Sequence, residues 1–322
     1  MLILSFRDMS TPRCSAVTAA AAYALDAIVP AFPWSPAPGR ALRLAGWLEV
    51  QRALQGKHVC FLIHGFNVDR DGGYTGLGAM AQEMAGGGAL TLAHPPIDLR
   101  TLGVDVVVPV LWAGDWYLPI NYPFLLGDIR ATARHFADFI WSAASQMRRV
   151  SFVTHSMGAR VALETVLQAL SAQERYSLPV FDTAVFTAAA VTDQALDLAY
   201  FAPAVAVLRR IAVVSSTADE VLSGAFPWGN AAEEALWWND PGRDVALGLD
   251  GPQLSLAAAA RAKTSWYPQG DHKHSDYLPR PLAPDVPARY VNGWSDKRLR
   301  VAETAQAVLD GAAAPIPRQP IP

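Results

Sequence analysis

Two kinds of apolar pattern alternate along this chain. Leu2 to Phe6, His58 to Ile63, Val104 to Leu111, Val150 to Thr154, Thr183 to Ala188 and Arg210 to Ser215 are short runs rich in β-branched or aromatic residues. Most are apolar at nearly every position, the pattern of strands buried on both faces. Between them, Thr75 to Ala85, Asp128 to Met147, Met157 to Ser171, Gln194 to Tyr200 and Asp296 to Leu309 space their apolar residues three to four apart, as a helix with one buried face does. An Ala-rich stretch, Ala16 to Ala27, reads as one more helix, packed on the domain. Strand followed by helix followed by strand predicts an α/β fold: a mostly parallel central sheet with crossover helices on both faces. No repeat at a fixed period interrupts it.

Three stretches fit neither pattern. Ala31 to Arg40 carries Pro33, Pro36 and Pro38; Trp112 to Leu125 collects Trp112, Trp116, Tyr117, Tyr122 and Phe124; Gly224 to Gly242 holds Trp228, Trp237 and Trp238. Large aromatics in long loops supply those loops with their own packing. The same side chains also suit a cap or rim around an apolar pocket. The organisation expected is one domain over residues 1–311, with its core at about 55–280, cap-like insertions at about 112–127 and 224–262, and a Pro-rich tail at 312–322.

Composition narrows the classes. With 52% hydrophobic residues the chain has ample material for a core and is not of disordered type. The formal net charge is −3, from 26 basic and 29 acidic residues, without a basic run to follow a phosphate backbone, so nucleic acid is not an expected partner. Arg7, Asp8 and Pro12 break up the N-terminal apolar residues, no secretory signal is read there, and no stretch of about 18 uncharged apolar residues predicts a membrane span. Cys60 lies inside an apolar run and Cys14 just before the Ala-rich stretch; a disulfide between them is not expected, which favours a reducing, cytoplasmic setting.

The chemistry is concentrated in four segments. In the first, the apolar strand ending at Thr154 runs straight into His155-Ser156-Met157-Gly158 and then a helix. A serine on so sharp a strand-to-helix turn projects its oxygen from the top of the sheet as a nucleophile, and small flanking residues let the backbones come close. Thr154 stands where the usual pattern has glycine. In the second, Val59 to Ile63 leads into His64-Gly65-Phe66-Asn67, the place for a loop that turns a backbone N–H toward a developing oxyanion. The donors expected are the amides of Phe66 and Met157, the latter at a helix N-terminus. His64 and Gly65 support that loop. Where this turn carries a nucleophile, the acid and the histidine follow it in sequence. Asp219, just beyond the strand Arg210 to Ser215, is the first choice of acid, with Asp193 and Glu220 as alternatives. His272 and His274 are the histidines that follow, and His274 is the choice of base. The pair lacks further ligands at metal-site spacing, and His94 is isolated, so neither a metal nor an organic cofactor is expected.

Phe-Leu-Ile-His-Gly-Phe-Asn, the strand ending at Trp112, the helix opening between Tyr122 and Asp128, and Thr-His-Ser-Met-Gly-Ala-Arg together resemble a bacterial branch of the α/β-hydrolase superfamily, a domain of unknown function related to esterases and lipases. Ser-Ser-Thr-Ala-Asp219-Glu-Val-Leu is similar to that branch's acid segment and His274-Ser-Asp-Tyr to its histidine segment. The resemblance covers about residues 55–280 and implies an α/β-hydrolase fold with a triad of Ser156, Asp219 and His274. The expected activity is hydrolysis of a small-molecule carboxylic ester with an apolar acyl or aryl group. The same machinery serves lipase or phospholipase, amide and thioester chemistry, and a catalytically inactive binding module is the alternative outside enzymes. Oligomeric state is not legible.

Overall fold

The apolar runs form the middle of a sheet. The structure, a computed structural model, describes residues 2–10, 16–25, 42–70, 73, 77, 81, 104–115, 125–143, 146–175, 177–197, 199–237, 245–253, 258–268 and 270–277. Among these, the strands are β1 (Leu2–Arg7), β2 (Val17–Leu25), β3 (Leu42–Leu44), β4 (Lys57–Ile63), β5 (Val106–Leu111), β6 (Met147–His155), β7 (Val180–Thr187), β8 (Arg210–Ser215) and β9 (Thr264–Pro268). They join in one sheet in the order β3-β2-β1-β5-β4-β6-β7-β8-β9. From β1 to β9 every neighbouring pair is parallel, while β2 runs antiparallel to both β1 and β3.

The helices are α1 (Trp47–Leu54), α2 (Leu125–Ala143), α3 (Gly158–Leu170), α4 (Ala202–Val207), α5 (Glu220–Trp237), α6 (Leu247–Asp250) and α7 (Ala258–Lys263). None among the described residues is long and apolar enough to cross a membrane. α2 lies along α3 and over β1 and β2, and its buried stripe of Leu125, Ile129, Phe136 and Ile140 follows the helical period. Phe136 is the hub, 5.0 Å from the Phe6 ring and 4.9 Å from Phe61, which it meets edge-on. Each fully buried phenylalanine contributes roughly 1.5–3 kcal/mol by leaving water. Cys60 is buried beside Phe61, and burial pushes its thiol up to about 12, so it packs as a hydrophobe.

The α/β architecture agrees with the apolar pattern, with three exceptions, the first being Gly224 to Trp237, expected as part of an irregular loop, which continues helix α5 through Pro227. Ala16 to Ala27, expected as a helix, contains β2 instead. Alanine's helix preference is a fraction of a kcal/mol per residue, whereas pairing with both β1 and β3 satisfies the strand's backbone on two sides. Small side chains there leave a half-open groove of about 470 Å³ between the strand, α1 and α2, lined by Ala19 to Ala22, Trp47 and Phe139. Of Gln194 to Tyr200, also expected as a helix, the described residues form turns: Asp193 N–H donates to Val245 O at 3.0 Å and Thr192 bridges Ala246, which tethers the segment. Helix α4 starts just afterwards, where Pro203 occupies the first turn without needing a donor. Of Thr75 to Ala85, the described residues are Leu77 and Ala81, both helical and buried. Asp296 to Leu309, the tail at 312–322, Cys14 and His94 lie outside the described residues.

A parallel sheet directs its strands' carboxyl ends to one edge, where the connecting loops can converge. β4, β5, β6, β7 and β8 bring residues 64–68, 112–115, 156–158, 188–193 and 216–219 there, and β9 leads into residues 270–277. Three residues other than glycine among those described have a positive φ: Asn67 (58°), Ser156 (53°) and Ala188 (45°). Each follows one of these strand ends, so the backbone strain collects on this one edge.

Candidate active site

The serine turn is built from β6 outward. Ser156 takes a left-handed conformation as the chain leaves β6, and α3 begins two residues later at Gly158. Its backbone is fixed on both sides: Ser156 N–H donates to Thr187 O at 3.0 Å, and Ala190 N–H donates to Ser156 O at 3.2 Å. Gly158 is required by a close approach, since a Cβ there would stand 2.6 Å from Ile63 O and 2.7 Å from His64 O. Thr154 occupies the usual glycine position without conflict because its Oγ1 reaches across to β7 and donates to Val185 O at 3.3 Å.

His274 opens a one-turn 3₁₀ helix, His274–Tyr277, and its ring lies between the serine and a carboxylate. Its Nε2 is 3.1 Å from Ser156 Oγ and its Nδ1 is 2.8 Å from Asp219 Oδ2. Because a carboxylate only accepts, Nδ1 carries the proton, Nε2 is left basic, and the serine hydroxyl donates to it. Asp219 is fully buried at the N-terminus of α5, where Val221 and Leu222 N–H groups donate to its Oδ1 at 3.1 and 3.0 Å. The helix end thus secures one oxygen as an acceptor and leaves the other for the imidazole.

The loop after β4 stands against this turn. A Cβ on Gly65 would meet Ser156 Cβ at 2.7 Å, so glycine is what allows the loop to come so near. His64 holds the loop's shape: its Nε2 accepts from Trp112 N–H at 3.1 Å, its Nδ1 donates to Gly65 O at 2.8 Å, and its carbonyl accepts from the Trp112 indole at 2.8 Å. Burial lowers its pKa to about 4, in keeping with a neutral ring that supports rather than titrates. Phe66 follows Gly65 directly, and Met157 is the N-cap residue of α3. Arg7, at the end of β1, and Asp115, after β5, form a buried ion pair at 2.9 Å beneath the same loop, and Arg7 also reaches Val68 O at 3.5 Å.

The other candidates are engaged elsewhere. His272 is buried with Nδ1 3.2 Å from Asp271, Asp193 accepts from Gln253 at 2.8 Å, and Glu220 is exposed and 3.6 Å from Lys273. Trp112, counted among the loop aromatics, is wholly buried against His64 and belongs to the core. Residues 116–124 and 238–244 lie outside the described residues. His155 has a place that its position in the motif did not foretell: it is buried, with Nε2 2.7 Å from the carbonyl oxygen of His274. Among the described residues no cluster of three or more His, Cys, Asp or Glu side chains is arranged to hold a metal.

A family model described as "Alpha/beta hydrolase of unknown function (DUF900)" matches residues 45–225, more than half of the chain. The chain belongs to this family of α/β hydrolases. The match takes in the His64–Asn67 loop, the serine turn and Asp219, and ends before His274. No curated protein matches it. Among solved structures it is similar to the esterase Est2 of the planctomycete Thermogutta terrifontis, with 13% identity over 82% of this chain and 88% of the other and a TM-score of 0.39. It is also similar to a hyperthermophilic esterase of the archaeon Pyrobaculum calidifontis, at 11% identity over 98% and 86% with a TM-score of 0.40. The carboxylesterase EstE1 from a metagenomic library gives 11% over 98% and 90% with a TM-score of 0.41.

The chain has a second histidine–serine contact, His58 Nε2 to Ser151 Oγ at 2.8 Å. Both residues lie within β4 and β6, wholly buried, and Ser151 Oγ also accepts from Thr183 N–H at 3.2 Å. That pair cross-links three neighbouring strands away from the carboxyl edge.

Proposed function

We propose that this chain is a serine hydrolase that cleaves carboxylic esters through Ser156, His274 and Asp219. The observation that carries the reading is the continuous chain of contacts from Ser156 Oγ through the His274 ring to Asp219 Oδ2, at 3.1 and 2.8 Å, with the serine on a left-handed turn. Ser156 Oγ attacks the ester carbonyl carbon while its proton passes to His274 Nε2. The negative charge that develops on the carbonyl oxygen is met by the amides of Phe66 and Met157, the second aided by the N-terminus of α3. As the tetrahedral centre collapses, the C–O bond to the alcohol breaks and His274 Nε2–H protonates the leaving oxygen. Water, deprotonated by His274, then attacks the acyl-serine, and the acid departs as Ser156 regains its proton.

Asp219 keeps the imidazole in the tautomer that leaves Nε2 basic and stabilises the imidazolium between the two transfers. None of these steps draws on a metal or cofactor. An ester is favoured as substrate because its alkoxide leaving group demands less of the general acid than an amide nitrogen does. In this reading a single domain over 1–311 carries the site, and the aromatic insertions at about 112–127 and 224–262, Trp112 excepted, rim a pocket for an apolar acyl or aryl group.

The test is hydrolysis of p-nitrophenyl esters of increasing acyl length at neutral pH by the wild type and by Ser156→Ala. Turnover by the wild type, with a loss of at least about 10³-fold in the variant, is expected for a serine whose removal leaves only the oxyanion donors and binding. Equal rates in the two proteins, or silence of the wild type on every ester, would count against the proposal.

A further inference from the structure

His155 precedes Ser156 and ends β6, so its backbone is part of the most central region of the sheet. Its side chain turns toward the base. Nε2 lies 2.7 Å from His274 O, and the two imidazole rings pack with centroids 4.8 Å apart. Tyr277, one turn further along the same 3₁₀ helix, has its ring centroid 6.1 Å from that of His155. A carbonyl oxygen only accepts, so Nε2 carries the proton and Nδ1 does not. That Nδ1 is buried without a partner and faces the loop after β4: a Cβ on Gly65 would come within 3.0 Å of it. The ring is therefore wedged between the segment bearing the base and the loop proposed to bear an oxyanion donor. Burial, with His274 adding to it, lowers its pKa to about 3, so this donor is neutral and unchanged at the pH where a histidine base operates.

The geometry points to His155 as a positioning residue, which registers the backbone of His274 against the strand that carries Ser156; the inference rests on the triad proposed above. Its physical basis is that His274 and Ser156 are 118 residues apart in sequence and come from different loops, so the 3.1 Å contact between them needs a common reference. Through His155 that reference is β6 itself. When the bond is absent, the base can drift by a fraction of an ångström to an ångström, enough to lose the near-attack arrangement without altering how an ester binds.

Three variants separate positioning from packing: His155→Gln, whose amide still donates; His155→Phe, which keeps a ring without a donor; and His155→Ala. Each is measured for kcat and KM on the best p-nitrophenyl ester. The low-field proton resonance of the His274 Nδ1–H···Asp219 bond is recorded in parallel, because it reports on the base without requiring turnover. Expected are a fall in kcat of between about 10- and 100-fold for His155→Phe with KM changed less than about threefold, a shifted or lost low-field resonance, and recovery of both in His155→Gln. Wild-type kcat and an unshifted resonance in His155→Phe would overturn the inference, as would equal losses in Phe and Gln variants. Should His155→Phe not fold, wild-type behaviour of His155→Ala overturns it in the same way. The triad proposal fails separately: there Ser156→Ala retains activity, or the wild type has none, while the resonance still decides whether His155 places His274.

Discussion

Burial sets the protonation of the two histidines that flank the candidate nucleophile region. His64 and His155 have pKa values lowered to about 4 and about 3, chiefly by desolvation, from an ordinary value of 6.5. In the unfolded chain both would accept a proton as the pH falls below 6.5, while in the folded protein neither does until far lower. The unfolded state then binds more protons, so stability is complete above pH 6.5 and falls as the pH drops toward the folded values. Each ring is expected to cost roughly 2 kcal/mol by pH 5. Urea unfolding between pH 7 and pH 5, above most carboxylate titration, measures this; a flat stability over that interval would show that the rings are not held neutral. At the same scale Asp219 does two things at once: one oxygen caps α5 and the other holds His274.

Among the elements, the tightest fits lie between the loop after β4 and the turn between β6 and α3. Gly65 and Gly158 face each other's strands, and at either a Cβ would overlap backbone or Cβ atoms held in the sheet or the turn. Gly65→Ala would force its loop away from Ser156 Cβ and His155, and with it the Phe66 amide. A loss of one proposed oxyanion donor is expected to lower kcat by about 10²-fold or more. Kinetics on the same ester series check this: an unaltered kcat would remove the loop from the proposed mechanism. Helix α2 contributes at a distance by packing Phe136 among Phe6, Phe61 and Phe152, which supports β4 and β6 from behind.

At the scale of the whole molecule, two polar cross-links stand at opposite ends of the sheet. At the amino ends, buried Asp182 gathers Arg210 at 2.7 Å and Arg149 at 3.8 Å; burial, the largest single effect, raises its pKa, but the bonds from Arg210 and Thr183 and the nearby positive charge together outweigh it and the net shift is downward. At the carboxyl ends, Arg7 and Asp115 are paired with side chains 0% and 1% exposed, so removing one takes the counter-charge from the other in a place without water. Asp115→Ala is expected to lose about 3–5 kcal/mol, and replacing both residues by apolar ones of similar size to lose much less. Denaturant melts of the single and double variants distinguish these. A double variant as unstable as the single would mean that the pair itself, not its desolvated remainder, supplies the stability.

What the sequence determines here is whatever depends on neighbours in the chain. β4, β5, β6, β7 and β8 are apolar runs that can be buried in only one kind of element, and Ser156 reads as a nucleophile because strand, small turn and helix follow within a few residues. Asp219 at the mouth of β8 stands out on the same local grounds. Tertiary structure decided what depends on partners far away. β2 is a strand rather than an alanine helix because β1 and β3 stand on either side of it. β9 was not legible in a short, half-exposed sequence, yet its pairing with β8 carries the chain to His274. The placing of His274 on Ser156, with His272 turned to Asp271, and of His155 on the His274 carbonyl joins residues more than a hundred positions apart for which no spacing rule exists. Local patterning fixes which groups can react, and long-range packing fixes which of them meet.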